Sequence, residues 1–355
     1  MIFLKRIGNV FEKICTVENI KNAHNHARRD KTHYTSVKRV DANLDACVNS
    51  IHDMLVNHTY KVSQKDYSVT TINDKGKERE LWKLPYYPHR IIQWAIMLQV
   101  ERDFLSSFTS FTCASIPGCG IARAHKLMQR YLRDIEGTKY CLKIDIRHFY
   151  PSIDHAILKQ LLRRKFKDAD LLWLLDTIID SGNAVGLPIG SYLSQYLANY
   201  YLTGFDHWLK EVKGVKYVIR YADDIVVLGD DKKALHKLFD DMQTYLNDIL
   251  HLTVKGNWQI FPVDARGVDF VGYRFFHGYT LLRKSTCKRM KAKLKSVDWK
   301  VSEYGTLTYR QWCQINSYRG WLKWCDGYRL SEKYLVSLLP YAEQYYREKV
   351  KGVKT

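Results

Sequence analysis

Three aspartates lie where short apolar runs end, and together they could hold divalent cations. Asp145 closes an apolar run that begins at Tyr140, while Asp223 and Asp224 follow Tyr221 and an alanine between two further apolar runs. Carboxylates on neighbouring strand ends repel one another unless a cation lies between them, and such hard oxygen ligands suit Mg²⁺. Two ions about 3.5–4 Å apart are what in-line phosphoryl transfer requires.

Each part of this pattern also has a purely structural interpretation. Asp is common in β-turns because its side chain hydrogen-bonds the local backbone, so Asp223 and Asp224 are also typical of a plain hairpin turn. A carboxylate between a strand and a helix start, such as Asp145, is also a common helix cap. The presence of both patterns in one chain favours the metal site.

The elements that must position these residues are of mixed type. Helical periodicity covers residues 1–65, the turn signal Asn73-Asp-Lys-Gly76 predicts a hairpin, and a helix follows over about 88–104. Short strands and helices then alternate until 286, and the chain is helical again from Leu282. The pattern predicts an α+β fold with an antiparallel sheet that carries the aspartates. The expected strands are 140–146, 216–220, 225–228, 257–263 and 268–276, and the expected helices are 154–181, 190–212 and 231–250.

Further motifs follow in a fixed order along the chain. They are Leu84-Pro-Tyr-Tyr-Pro-His-Arg-Ile-Ile-Gln93, Ser115-Ile-Pro-Gly-Cys-Gly-Ile121, Gly186-Leu-Pro-Ile-Gly-Ser-Tyr-Leu-Ser-Gln195 with Ala198-Asn199, and Val268-Asp-Phe-Val-Gly-Tyr273. With the first aspartate and the Tyr-Ala-Asp-Asp hairpin, they resemble the fingers, palm and primer-grip motifs of reverse transcriptases over roughly residues 66–330. The resemblance implies a right-hand polymerase, with an N-terminal helical region and fingers over 1–140, a palm over 141–280 and a helical thumb over 281–355.

The resemblance also implies roles for individual residues. Asp145, Asp223 and Asp224 would be catalytic and, with the Ile146 carbonyl, would bind two Mg²⁺ ions, for which Mn²⁺ is a substitute. The other implied assignments are nucleotide binding by Arg79, Tyr150, Ile189, Gly190 and Gln195, and a primer grip at Phe270, Gly272 and Tyr273.

Two of the nucleotide-binding assignments have competing interpretations. Tyr150 lies where the family keeps a bulky ring against the incoming sugar, and this ring would clash with a ribose 2′-hydroxyl; a plain core position is the alternative. Arg79 is the candidate for contact with the triphosphate, and a solvated strand charge is the alternative. Lys255 could protonate the departing pyrophosphate, but a lone lysine beside a glycine is too weak a signal for an assignment.

One motif narrows the resemblance to a single subfamily of reverse transcriptases. Ile189-Gly190 followed by Ser194-Gln195 resembles reverse transcriptases of diversity-generating retroelements, which copy a template RNA with frequent errors opposite adenine. Ala222 departs from the Met that many of these enzymes carry and is commoner in group II intron and defence-associated relatives. The resemblance implies as partners a structured template RNA, an RNA/cDNA duplex, dNTPs and a small basic helical accessory protein that assembles as an oligomer.

The charge of the chain predicts a polyanionic partner. Its 355 residues include 56 Lys and Arg against 37 Asp and Glu, which gives a net charge of +19. A charge run usually marks a solvated surface. Directly after the grip motif, however, a basic helix would hold a duplex through its phosphates. The basic residues expected there are Arg283, Lys284, Lys288, Lys291 and Lys295.

The remaining features limit the class of protein. No apolar run is long enough to cross a bilayer, so no membrane partner is expected. Eight cysteines without a Cys-x-x-Cys pair indicate reduced thiols in a cytoplasmic compartment, and the resemblance implies a bacterial or phage-encoded enzyme. We therefore expect an RNA-directed DNA polymerase that makes error-prone cDNA within a diversity-generating retroelement. The alternatives are an antiphage-defence reverse transcriptase with a non-coding RNA template, a non-catalytic RNA-binding scaffold, and a nucleotide cyclase.

Overall fold

A computed structural model of the protein describes residues 6–74 and 77–350. The helices in chain order are α1 (Phe11–Cys15), α2 (Val17–Ala27), α3 (Thr35–Ala42), α4 (Leu44–Val56), α5 (Ile91–Ser107), α6 (Ile121–Tyr131), α7 (His155–Lys165), α8 (Ala169–Ile179), α9 (Tyr192–Tyr201), α10 (Thr203–His207), α11 (Lys232–Thr244), α12 (Val263–Arg266), α13 (Lys284–Tyr304), α14 (Tyr309–Leu322), α15 (Tyr328–Tyr334) and α16 (Leu339–Tyr345). The strands are β1 (Ser68–Asp74), β2 (Lys77–Lys83), β3 (Tyr140–Asp145), β4 (Tyr217–Tyr221), β5 (Asp224–Gly229), β6 (Gln259–Pro262), β7 (Val268–Phe270), β8 (Tyr273–Phe275) and β9 (Thr280–Leu282).

The chain divides into two compact units. Within the described residues, the first unit comprises 6–74, 77–120, Lys143–Val226 and His236–Trp258, and the second comprises Ile121–Leu142, Val227–Leu235 and 259–350. The ranges expected for fingers, palm and thumb remain a prediction.

The core of the first unit forms around α5. Apolar residues recur along this helix at helical spacing, and Ile92, Ile96 and Phe104 are fully buried. The helix packs against α2 and α9, and the Phe104 ring meets Phe166 edge-on at 5.7 Å between centroids. The predicted N-terminal helices and the helix after Pro88 are confirmed.

Side-chain caps decide where several helices begin. The region expected to be helical over 154–181 contains two helices, because the Asp168 carboxylate accepts a hydrogen bond from the Leu171 N–H and starts α8 anew. Asp154 caps α7 through the amides of Ala156 and Ile157. These side chains satisfy amides that a helix start otherwise leaves without partners.

A four-stranded sheet in the order β4-β5-β3-β6 carries the aspartates. Strand β4 ends at Tyr221 and β5 begins at Asp224, so only Ala222 and Asp223 connect them. Ala222 has φ 56°, in the left-handed region that a tight hairpin requires. The predicted α+β class and the Tyr-Ala-Asp-Asp hairpin are confirmed. Strands β1 and β2 form the other predicted hairpin, whose turn residues 75 and 76 lie outside the described part of the chain.

The second unit contains an antiparallel sheet, β7-β8-β9, and the C-terminal helices. Phe270 pairs with Tyr273 across the hairpin, and the two connecting residues, Val271 and Gly272, have φ of 41° and 91°. Helix α13 buries Met290, Leu294, Val297 and Val301 along one side and ends at Tyr304, and Gly305 follows in the left-handed cap conformation. None of the described helices is long and apolar enough to cross a membrane.

Candidate active site

Backbone hydrogen bonds bring the three predicted aspartates together. Asp145 ends β3, Asp224 begins β5, and Asp223 lies in the turn before it. The Ile146 N–H donates to the Asp223 carbonyl at 3.2 Å, which joins the end of β3 to the turn. The Lys255 N–H donates to the Asp145 carbonyl at 2.9 Å. The two motifs, far apart in sequence, therefore meet at one place.

Two lysines lie against these carboxylates. The Lys255 ammonium group donates a hydrogen bond to the Asp145 carboxylate, and Lys143 Nζ lies 3.5 Å from Asp224 Oδ2. Such cations lower the repulsion between neighbouring carboxylates. No group of three or more His, Cys, Asp or Glu side chains among the described residues is spaced to hold a metal ion.

Asp224 nevertheless has the properties of a cation ligand. Its Oδ1 is buried and accepts no hydrogen bond from any residue that the structure describes. Burial raises the pKa of Asp224 to about 6; Lys143 acts in the opposite direction, and the charges of Asp145 and Asp223 raise it further. A buried carboxylate oxygen beside two further carboxylates is the hard donor set that Mg²⁺ prefers. The donor chemistry of these side chains therefore suits a divalent cation, although their spacing in this structure does not enclose one.

A cavity of about 610 Å³ in the first unit opens beside the aspartates. Asp223, Lys255, Tyr150 and Ile189 all line it, so two residues of the predicted nucleotide site border the same cavity as a predicted metal ligand. Its volume falls within the range of small-molecule sites. Its further lining residues are Glu78, Glu80, Trp82, His148, Phe149, Pro151, Gly182, Asn183, Val185, Gly186, Leu187 and Pro188.

A glycine allows the loop that lines this cavity to approach the turn holding Tyr150. The Leu187 N–H donates to the Tyr150 carbonyl at 2.8 Å. Gly186 has φ 95°, and a Cβ at this position would meet the Pro151 backbone at 2.7 Å, so only glycine is accommodated. Tyr150 itself is half-buried, and burial, followed by the charge of Asp223, raises its pKa to about 12. The phenol therefore stays protonated near neutral pH.

The other predicted nucleotide residues occupy different positions. The Ile189 carbonyl accepts a hydrogen bond from the Trp82 N–H at 3.2 Å, which ties this loop to β2, and Gly190 follows with φ 116°. Gln195 is half-buried on α9 and is not among the residues that line the cavity. The Arg79 backbone belongs to β2, but its side chain lies outside the described part of the structure.

The predicted primer grip lies in the second unit, and its rings face inward. Phe270 and Tyr273 are buried, while a Cβ on Gly272 would meet the Trp321 ring at 2.5 Å. The Tyr273 hydroxyl donates to the Trp321 carbonyl at 3.1 Å. The residues that remain accessible are therefore the two at the turn, Val271 and Gly272, both half-buried.

The basic residues after this hairpin have mixed surroundings. The Arg283 guanidinium donates through Nε to Asp269 at 2.5 Å. Lys291 is half-buried, with Nζ 5.8 Å from the centre of the Tyr334 ring. The exposed members on α13 are Lys284, Lys288 and Lys295.

The sequence model of the family described as "Reverse transcriptase (RNA-dependent DNA polymerase)" matches residues 44–275, more than half of the chain. The chain belongs to the reverse transcriptase family. The matched range contains the three aspartates, the cavity and the first two strands of the grip sheet. The predicted enzyme class, RNA-directed DNA polymerase, is thereby confirmed at the level of the family.

Individual relatives agree with this assignment. The chain is 26% identical to Protein YkfC of Escherichia coli K12, over 65% of this chain and 74% of that protein. It is 24% identical to the Retron Ec73 reverse transcriptase of Escherichia coli, over 57% of this chain and 68% of that protein. It is also 24% identical to the group II intron-encoded protein LtrA of Lactococcus lactis, over 37% of this chain but only 23% of LtrA. These similarities support a reverse transcriptase of the bacterial group II intron and retron clade, whereas the predicted diversity-generating retroelement subfamily stays a prediction.

Sequence reasoning missed several residues that shape the reverse transcriptase cavity. Glu78, Glu80 and Trp82 line it from β2, and strict alternation along a strand was the available signal, because every second side chain shares a face. His155 was also missed: its buried ring lies with Nε2 2.8 Å from the Gly186 carbonyl. No pattern in the sequence distinguishes this histidine from one on a solvated helix.

Arg220 is the most informative omission. It is fully buried within the apolar strand before Tyr-Ala-Asp-Asp. A charged residue at such a position must have a partner, which was the available signal.

Proposed function

We propose that the protein extends a primer 3′-hydroxyl with deoxynucleotides on an RNA template. The observation that carries this proposal is the convergence of Asp145, Asp223 and Asp224 beside a nucleotide-sized cavity that Tyr150 and Ile189 line. Membership of the family supports the reaction class. Asp145, Asp223 and Asp224 are the proposed catalytic residues.

The same residues are the proposed metal ligands. Asp145, Asp223 and Asp224, together with the Ile146 carbonyl, would hold two Mg²⁺ ions, and Mn²⁺ would substitute. When bound, these ions activate the attacking hydroxyl and neutralise charge on the departing pyrophosphate. The unpartnered, buried Oδ1 of Asp224 supports the proposal, because such an oxygen is costly unless a cation or a donor satisfies it.

The residues around the cavity would orient the nucleotide. The Tyr150 ring would lie against the sugar and exclude a ribose 2′-hydroxyl, while Ile189 and Gly190 would contact the base pair through the loop held by the Trp82 N–H. Lys255 lines the cavity and pairs with Asp145, so its ammonium group is available to the triphosphate once a cation takes over the carboxylate. Arg79 remains the proposed second contact to the triphosphate.

The proposed nucleic-acid contacts belong to the grip and the basic helix. The turn after Phe270, with Gly272 and Tyr273, would support the primer end. The exposed lysines of α13 would contact phosphates of the RNA/cDNA duplex without reading its sequence. In this assignment residues 1–140 form the N-terminal helical region and fingers, 141–280 the palm and 281–355 the thumb.

At the finer level we propose an error-prone enzyme of a diversity-generating retroelement. Support comes from the Ile189-Gly190 and Gln195 signature, and from the position of Ile189 in the cavity wall. The proposed partners are a structured template RNA and a small basic helical accessory protein that forms an oligomer, and the proposed location is the cytoplasm of a bacterium. An antiphage-defence enzyme that copies a non-coding RNA is the second candidate, and Ala222 in the catalytic turn favours it.

Primer extension on an RNA template with Mg²⁺ and four dNTPs tests the polymerase. The wild-type chain, supplied with its cognate RNA and accessory protein, should make cDNA. Asp223→Ala should lower synthesis by about 10³-fold or more while RNA affinity is retained, because the phosphate contacts lie elsewhere. Asp230→Ala, which changes an exposed aspartate immediately after β5, is the matched control and should remain active. No cDNA from the complete assembly would favour the RNA-binding scaffold.

Sequencing of the products separates the finer candidates. Errors concentrated opposite template adenine support the retroelement assignment, and accurate cDNA supports defence. Gln195→Ala should alter misincorporation opposite adenine more than opposite the other bases, whereas Gln243→Ala on the exposed side of α11 should change none of them. An equal effect of Gln195→Ala at all four bases would contradict the assignment.

A further inference from the structure

A buried ion pair lies directly behind the catalytic turn. The side chains of Arg220 on β4 and Asp206 on α10 are 0% and 1% exposed, and the guanidinium group donates to both carboxylate oxygens at 2.6–3.0 Å. Burying two charges is costly unless every donor and acceptor is satisfied. A pair retained at this depth therefore needs a compensating set of contacts.

Those contacts are present on both partners. Arg220 Nη1 also donates to Asn199 Oδ1 at 3.0 Å, and the Asn199 amide donates to the Ala114 carbonyl at 2.9 Å. Asp206 accepts a further hydrogen bond from the Thr112 hydroxyl at 2.9 Å. The network thus joins α9, α10 and the segment before α6 into one rigid frame.

The frame reaches the turn itself. Arg220 Nη1 donates to the Ala222 carbonyl at 3.1 Å, and Ala222 is the left-handed residue, φ 56°, that immediately precedes Asp223. The Arg220 backbone is fixed as well, because its N–H donates to the Phe111 carbonyl at 3.1 Å and its carbonyl accepts from the Cys113 N–H at 2.9 Å. A left-handed alanine is strained and persists only when its surroundings determine it.

We infer that Arg220, held by Asp206 and Asn199, is a positioning residue that fixes the Ala222-Asp223 turn in the geometry needed to bind the catalytic cations. Arg220 itself does not touch the reacting atoms. Because the role concerns the catalytic turn, it rests on the polymerase function proposed above. Lysine would keep the positive charge beside Asp206, but it lacks the planar guanidinium group that donates hydrogen bonds to Asn199 and Ala222 at the same time.

The decisive variant replaces the whole pair, Arg220→Met with Asp206→Leu, because similar-sized apolar residues commonly preserve a fold that loses a buried pair. We expect a folded protein whose kcat falls about 10²-fold, with the KM for dNTP nearly unchanged, since a small displacement of a catalytic group is sufficient for such a loss. Arg220→Lys should also lower kcat and leave the KM for dNTP nearly unchanged. Phe205→Leu is the matched control: it removes buried volume from the same helix α10 without touching the turn, and should lower Tm but leave kcat of the folded fraction intact.

Mn²⁺ binding to the purified full chain, followed by water-proton relaxation, provides a readout that does not depend on turnover. We expect the double variant to bind Mn²⁺ about tenfold more weakly than wild type, and Phe205→Leu to bind it normally. A folded double variant with wild-type Mn²⁺ affinity and kcat would overturn the positioning role. If the wild-type assembly makes no cDNA, the polymerase proposal fails, and the Mn²⁺ comparison still decides whether the pair sets the geometry of the turn.

Discussion

The turn at Ala222-Asp223 and the turn at Val271-Gly272 are both two-residue hairpin connections that use left-handed backbone. Different interactions hold them. The first is fixed by charge, through the Arg220 guanidinium on the Ala222 carbonyl. The second is fixed by an aromatic ring, because Trp321 occupies the space next to Gly272.

The difference follows from what each turn presents. In the proposed function, Asp223 must hold a carboxylate in one direction beside two others, and hydrogen bonds from a buried guanidinium are directional. The proposed grip turn presents only backbone and a small side chain, for which non-directional packing against a ring is sufficient. We therefore expect mutations at the first turn to change chemistry and mutations at the second to change nucleic-acid affinity.

Among the variants that compare the surroundings of the two turns, the largest effect is expected at Tyr150, which lines the cavity beside the first turn and is proposed to face the sugar. Tyr150→Ala should raise the use of ribonucleotides relative to deoxynucleotides by about 10- to 100-fold, because removal of the ring removes the clash with the 2′-hydroxyl. Competition between rNTPs and dNTPs in primer extension measures this ratio. Tyr150→Phe keeps the ring and should keep the selectivity. An unchanged ratio in Tyr150→Ala would show that this residue is a plain core position. A loss of duplex affinity in Tyr150→Ala would remove the expected difference between the two turns.

The second turn should respond to an added methyl group. Gly272→Ala places a Cβ against Trp321 at a φ of 91°, which should destabilise the hairpin by about 1–3 kcal/mol and weaken binding of a primer–template duplex. Thermal unfolding and duplex titration measure the two effects. Gly278→Ala is the control, because Gly278 has a similar φ of 85° but no atom within 4 Å of its Cβ position. Equal effects of both variants would show that backbone strain, and not the Trp321 contact, is responsible.

The smallest expected effect is a pH dependence of stability, which arises beside the sheet that carries the second turn. His125 is enclosed by the rings of Tyr273, Phe275 and Trp324, and burial lowers its pKa. The folded state therefore binds fewer protons than the unfolded chain below about pH 6.5, so stability is complete above this pH and falls as the pH decreases.

The direction of this pH dependence of stability can be measured by thermal unfolding at pH 7.5 and pH 5.5. His125→Phe retains an aromatic ring but cannot be protonated, and should reduce the loss of Tm at low pH by about 2–4 °C. His125→Phe should leave the selectivity for dNTPs over rNTPs, which is proposed to depend on Tyr150, unchanged. The same acid sensitivity in wild type and variant would assign the pH dependence to other groups.

Much of the fold could be predicted from local patterns. The Tyr-Ala-Asp-Asp hairpin, the helix after Pro88 and the helical C-terminal region all depend on periodicity and turn residues close in sequence. The break at Asp168 was missed because an apolar pattern runs through it, and only the cap shows where the second helix begins. The order of the sheet strands depends on contacts distant in sequence, which periodicity does not contain.

The sequence by itself determined the reaction class, because catalysis by paired cations demands carboxylates, and their motifs are short and ordered along the chain. The tertiary structure alone decided which groups meet them: Lys255 on Asp145, Lys143 on Asp224, and Arg220 behind the turn. It also decided that Ile189, but not Gln195, lines the cavity. The physical reason is that chemistry depends on residue type, whereas positioning depends on hydrogen bonds and packing between segments that lie far apart in sequence.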